Sequence, residues 1–270
     1  MGEPVRSFVS RCFAVAVLSL GLARQSPAVA EELVKFESAA SLPGGGTEIQ
    51  GYLTRPRGEG PFPAVVLLHS CLGLPADRRS IANGLARWGY LVLFVDDFTT
   101  RSVRETCAVD FPEGLSDALG ALAFISGLPY VDKARIAVVG YSQGADTALQ
   151  IASLRLPPKF AIADNLRFSA AAAFYPPCAN AARARLRLPT LILIGSADVV
   201  TPAADCEQLA RNQPAADLKL VVYPGAGHVF DDPQFTGGKR ILGMWLQFNQ
   251  QAAAQSRSAL RDFLAAKLGR

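Results

Sequence analysis

The sequence predicts an α/β protein: a mostly parallel central sheet with helices on both faces. Two observations carry this. Four continuous apolar runs of strand length, at 63–69, 91–95, 135–139 and 191–194, have the character of strands buried on both faces. Segments of helical period separate them, as parallel connections require.

In chain order, 32–37 and 48–54 read as two opening strands joined through Pro43-Gly44-Gly45-Gly46. The run 63–69 follows and ends at His69. A helix is expected over 77–88, then the strand 91–95 ending in Asp96-Asp97, then a helix over 114–128. The strand 135–139 ends at Gly140, and a helix is expected over 143–154. Weaker strands, 168–174 and 218–223, flank the run 191–194, with a helix over 203–212. A last amphipathic helix, 256–268, puts Leu260, Phe263, Leu264 and Leu268 near one face. No repeat or low-complexity linker divides this stretch, so 31–270 is read as one domain.

Composition narrows the function classes. The 270 residues are 50% hydrophobic and 19% charged, enough for one large core and unlike a disordered chain. No apolar run reaches the roughly 20 residues of a membrane span. The formal charge of +4 is scattered and supplies no basic stripe for nucleic acid. Arg6 and Arg11 precede a short apolar run, 12–23, and Ala28-Val29-Ala30 has the small-x-small pattern of a processing site. Residues 1–30 are therefore expected to be a cleaved signal peptide. The product is expected to be periplasmic or secreted, without stable membrane association.

Cys12 leaves with that segment, and Cys71, Cys107, Cys178 and Cys206 remain. Four thiols in an oxidising compartment allow three pairings. Cys71 and Cys107 follow neighbouring strands, as do Cys178 and Cys206. Neighbours reach bridging distance most readily, which predicts Cys71–Cys107 and Cys178–Cys206. None lies in a Cys-x-x-Cys motif, so no metal site is expected.

In open parallel sheets, ligands meet the carboxyl ends of the strands. There Gly140-Tyr141-Ser142-Gln143-Gly144 follows a buried strand and opens a helix. A serine on such a turn is held exposed above the sheet. It needs a base, and the chain holds two histidines, His69 and His228. His228 lies in a glycine-rich loop after the strand 218–223 and suits the role. Asp198, leaving the strand 191–194, is the expected acid; Asp205 and the pair Asp231-Asp232 are rivals. An oxyanion would be met by the N–H of Gln143 and by one from the loop His69–Gly73, at Cys71. No G-x-G-x-x-G follows the first buried strand and no phosphate-binding loop occurs, so no cofactor is expected.

These residues resemble the dienelactone hydrolase family of α/β-hydrolases. The resemblance runs from about Glu48 to the C-terminus. It rests on His69-Ser70-Cys71-Leu72-Gly73, Asp97-Phe98-Thr99-Thr100-Arg101, the Ser142 turn, Gly195-Ser196-Ala197-Asp198 and Gly225-Ala226-Gly227-His228. It implies a hydrolase of small ester or lactone substrates, without cap domain or cofactor. The sequence departs from the family's founding enzymes, which carry cysteine where this chain has Ser142 and glutamate where it has Ser70. Those enzymes hold a substrate carboxylate with two arginines. Arg101 matches one; near the other stand Asp231 and Asp232. The resemblance is closer to an exported branch with similarly placed cysteines. The rival from another class is an exported binding protein that keeps the fold without turnover.

Overall fold

The computed structural model describes residues 1–2, 31–39, 46–109, 111, 113–153 and 166–269. The expected signal peptide and the turn at 43–46 lie almost entirely outside them. Ten strands are present: β1 (Glu31–Glu37), β2 (Glu48–Thr54), β3 (Phe62–Leu68), β4 (Leu91–Asp96), β5 (Val131–Tyr141), β6 (Ala170–Phe174), β7 (Thr190–Gly195), β8 (Leu218–Tyr223), β9 (Lys239–Ile241) and β10 (Met244–Leu246). Five α-helices accompany them: α1 (Arg78–Arg87), α2 (Glu113–Ser126), α3 (Gln143–Ser153), α4 (Ala203–Arg211) and α5 (Gln250–Leu268).

Eight strands form one sheet in the order β1-β2-β4-β3-β5-β6-β7-β8. Every residue of β3, β4, β6 and β7 is buried, the burial expected of strands covered on both faces. From β4 to β8 all pairings are parallel, whereas β1–β2 and β2–β4 are antiparallel. Because these strands run parallel, the carboxyl ends of β3, β4, β5, β7 and β8 meet at one rim. That rim carries His69, Asp97, Ser142, Asp198 and His228.

Three elements differ from the sequence expectation. Helix α5 starts at Gln250, six residues early, because the Asn249 side chain caps it by accepting from the Ala252 N–H at 3.0 Å. Strand β5 starts at Val131, where its pairing with β3 shifts register. The ribbon β9–β10 was not expected. Its two-residue turn, Leu242-Gly243, has both residues at positive φ (48° and 80°), as a tight hairpin needs. This ribbon supports the site, since Leu246 bridges to His228.

Between β6 and β7 the described chain holds only the short helical turn Cys178–Ala181, with no separate lid. Both expected disulfides are formed, Cys71–Cys107 and Cys178–Cys206, with Cα atoms 4.8 and 4.9 Å apart. Among the described residues no helix is long and apolar enough to cross a membrane.

Candidate active site

Ser142 sits between the last residue of β5 and the first of α3, at φ 52°. That left-handed conformation is costly for a non-glycine residue and needs support from around it. The Ser142 N–H donates to the Phe174 carbonyl (3.0 Å), and the Gly144 N–H donates to that of His69 (3.1 Å). Both flanking glycines are required by space. A Cβ on Gly140 would collide with the Gly144 carbonyl, and one on Gly144 would lie 2.5 Å from the His69 carbonyl oxygen. The turn is thus pressed against the ends of β3 and β6, with the hydroxyl pointing outward.

His228 Nε2 lies 3.1 Å from Ser142 Oγ, and His228 Nδ1 lies 2.7 Å from Asp198 Oδ2. Histidine and acid are both buried. The Asp198 carboxylate also accepts from the N–H groups of Val200 (2.9 Å) and Thr201 (2.8 Å), and Thr201 Oγ1 lies 2.9 Å from Oδ2. These contacts hold the acid in one rotamer and keep it facing the imidazole. Among the described residues none of the three rival acids bonds to His228, and Asp232 accepts from Gln234. Asp205 lies on α4, and Asp231 accepts the Tyr175 hydroxyl at 2.9 Å. Burial pushes the Asp231 carboxyl up to about 7, with Asp232 and Asp77 adding to the rise.

The backbone around His228 is strained as well. Tyr175, whose ring packs edge-on against the imidazole at 4.8 Å, has φ 42°, and Val229 has φ 59°. With Ser142, three of the five described non-glycine residues at positive φ lie in this site.

The two expected oxyanion donors are tied together. The N–H groups of Cys71 and Gln143 bond to no acceptor among the described residues. Thr106 bridges their segments: its N–H donates to the Cys71 carbonyl (2.9 Å), and its hydroxyl donates to Gln143 Oε1 (2.7 Å). The Cys71–Cys107 disulfide fastens the same loops beside it. Neither Thr106 nor Thr201 was singled out from sequence. Thr106 had only its neighbour Cys107 as a signal, and Thr201 only its place three residues after the acid.

His69 takes no part in the Ser142 contacts. Its Nε2 lies 2.7 Å from Asp97 Oδ1, at an angle poor for a hydrogen bond, and its Nδ1 lies 2.8 Å from the Ser70 carbonyl. Burial pulls its pKa down, but Asp97, the Ser70 carbonyl and Asp96 more than offset this, so it is raised above the ordinary value.

Arg101, expected from sequence as a substrate ligand, bonds within the protein. Its guanidinium is bidentate to Asp117 (2.8 and 2.9 Å) and donates to the Asp97 carbonyl (2.7 Å). These bonds engage it inside the protein. Asp117 is fully buried, and burial pushes its carboxyl up to about 6 despite the arginine.

Residues 49–268 match the model of the dienelactone hydrolase family. The chain belongs to that family. A Methylorubrum extorquens protein named as a candidate carboxymethylenebutenolidase is 25% identical over 224 residues, 74% of this chain and 77% of that one. The Escherichia coli esterase FrsA is 29% identical over 164 residues, 53% of this chain but only 36% of its own. Among solved structures, a dienelactone hydrolase of Anabaena variabilis superposes with a TM-score of 0.63 at 20% identity, over 89% of this chain and 99% of that one. A dienelactone hydrolase-like promiscuous phosphotriesterase from metagenomic libraries gives 0.68 at 20% identity, over 89% and 100%. At such identities the structures speak to the fold. Family membership and the esterase relatives together support ester hydrolysis for this dienelactone hydrolase family member.

Proposed function

We propose that this family member is a serine hydrolase that cleaves carboxylic esters or lactones through an acyl-enzyme on Ser142. The observation that carries the reading is the unbroken contact chain Ser142 Oγ, His228, Asp198, with the serine on a strained strand-to-helix turn. Ser142 Oγ attacks the carbonyl carbon while His228 Nε2 takes its proton. Asp198 holds the ring orientation and stabilises the imidazolium. The oxyanion is met by the Cys71 and Gln143 N–H groups, each worth about 3 kcal/mol in the transition state. His228 returns the proton to the leaving alcohol oxygen, which completes the alcohol and leaves the serine ester. Water, deprotonated by the same imidazole, then releases the acid and restores Ser142. No step requires a cofactor.

The cellular setting belongs to the same proposal. Residues 1–30 act as a signal peptide removed after Ala30, and the protein works in an oxidising compartment, a reading supported by the two disulfides. N-terminal sequencing of protein from the exporting cell tests this: a mature chain starting at Glu31 is expected, and an intact Met1 in that compartment overturns it. For the chemistry, a fluorophosphonate probe should label Ser142 in native protein and not after boiling. Hydrolysis of p-nitrophenyl acetate undiminished in Ser142→Ala sinks the mechanism.

A further inference from the structure

Between α1 and α5, beside the site, lies a cavity of about 190 Å³. It adjoins the triad through residues that flank it: Tyr141, next to Ser142; Val229, next to His228; and Tyr175, which packs on the imidazole. Ile81 and Leu85 of α1, Trp88 at its C-cap and Leu260 of α5 give it apolar walls.

Its polar groups are unevenly distributed. Asp77, Asp231 and Asp232 all line it; Asp232 lies near enough to help raise the pKa of Asp77, and both add to the rise at Asp231. Tyr141 is at the same end, within the field of Asp77 and Asp231. Arg257 lines that end too, close enough to favour ionised Asp77, yet it forms no ion pair among the described residues. Arg87 lies at the far end of α1, about 15 Å of helix away.

Two of these groups lack partners. Asp77 stands at the N-cap of α1 without a side-chain capping bond, and its Oδ1 is buried with no hydrogen-bond partner among the described residues. Tyr141 is 8% exposed, and its hydroxyl makes no hydrogen bond among the described residues. Asp231 and Asp232 are already engaged, by Tyr175 and Gln234. A buried acceptor without a donor is costly, and a missing ligand group is one explanation for it.

We propose that this cavity is the subsite for a cationic amine carried on an apolar arm of the ester substrate. The head lies against Asp77 and the Tyr141 hydroxyl, and the stem runs back toward Ser142 past Tyr175 and Val229. The unpartnered Asp77 carboxylate, with Asp232 adding to the field there, favours a cation over an anion at this end, and the aromatic walls favour it further. The subsite rests on the hydrolase reading above for its purpose, though not for its chemistry.

Two ester pairs that differ only in charge test it. One is acetylcholine against 3,3-dimethylbutyl acetate; the other is the p-nitrophenyl ester of 4-(trimethylammonio)butanoate against that of 5,5-dimethylhexanoate. The expected result is about a tenfold higher kcat/KM for the cation in at least one pair. That preference shrinks at high salt and disappears in Asp77→Asn, a substitution that retains a good N-cap residue. A neutral ester equal or better in both pairs, or a preference that survives Asp77→Asn, overturns the subsite. A second arm needs no turnover: calorimetry of butyltrimethylammonium on Ser142→Ala, with and without Asp77→Asn. Binding that depends on Asp77, in a protein that hydrolyses none of the esters, keeps the subsite and sinks the hydrolase reading. Ester hydrolysis with no cation preference and no binding does the reverse.

Discussion

The rim of the sheet carries two histidine–aspartate pairs with the same 2.7 Å approach, His228–Asp198 and His69–Asp97. They differ in what the other ring nitrogen faces. For His228 it is a hydroxyl, which can surrender a proton. For His69 it is the Ser70 carbonyl, which can only accept one. Acceptors at both nitrogens favour the imidazolium, and a ring that already holds both protons cannot act as a base. An acid beside a histidine therefore does not identify a general base; the third group does. His69 instead braces the loop that offers the Cys71 N–H, because its own carbonyl receives the Gly144 N–H.

The largest expected effect separates the pairs outright. Ser142→Ala and His228→Ala should each lower kcat by about 10⁴–10⁶, with the double variant little worse, because the residues act as a unit. Asp198→Asn should cost about 10³–10⁴, and kcat/KM of the wild type should fall on the acid side as the base becomes protonated. His69→Gln should cost only about tenfold in kcat, leave that acid limb in place and lower the melting temperature. A loss in His69→Gln as large as in His228→Ala, on p-nitrophenyl acetate, would erase the distinction. Below these comes the staple: Cys71→Ser with Cys107→Ser should remove about 2–4 kcal/mol of stability and slow turnover several-fold, read by denaturant titration and kcat.

The smallest effect lies in the pH dependence of stability. Asp117 and Asp231 are held up at about 6 and about 7, and His69 is raised too. Each folded state holds its proton more tightly than an unfolded chain, where carboxylates titrate near about 4 and histidine near about 6.5. The carboxyl contributions are lost as pH rises from about 4 through 6 and 7. The His69 contribution is complete below about 6.5 and is lost as pH rises through its raised value. The melting temperature should therefore decline from about pH 5 to pH 8, and Asp231→Asn should flatten part of that decline. A melting temperature that climbs over this range contradicts the assignment.

Much of the fold was legible because strands buried on both faces leave continuous apolar runs, as at 91–95. The candidate site residues could be found because Ser142 and Asp198 each follow such a run and His228 follows the weaker strand 218–223. What stayed hidden depends on partners distant in sequence. Arg101 reads as a free charge until Asp117, 16 residues on and in a helix with a largely apolar buried face, is placed beneath it. Thr106 gains meaning only once Gln143, 37 residues away, closes on it. The ribbon turn at Leu242-Gly243 lacks the asparagine or aspartate that usually announces such a hairpin.

The order of the sheet has one more consequence. An open sheet ends in two strands whose outer backbone groups can recruit another chain, and here those strands are β1 and β8. Strand β1 carries Glu31, Glu32, Lys35 and Glu37, and β8 carries the exposed Lys219. A second molecule aligning on either edge would have to bring charge against charge or bury it. The fully buried strands are confined to the middle, where both neighbours are already taken. Replacing Lys35 or Lys219 with valine should leave hydrolysis unaffected, while turbidity on heating should reveal sheets joining edge to edge.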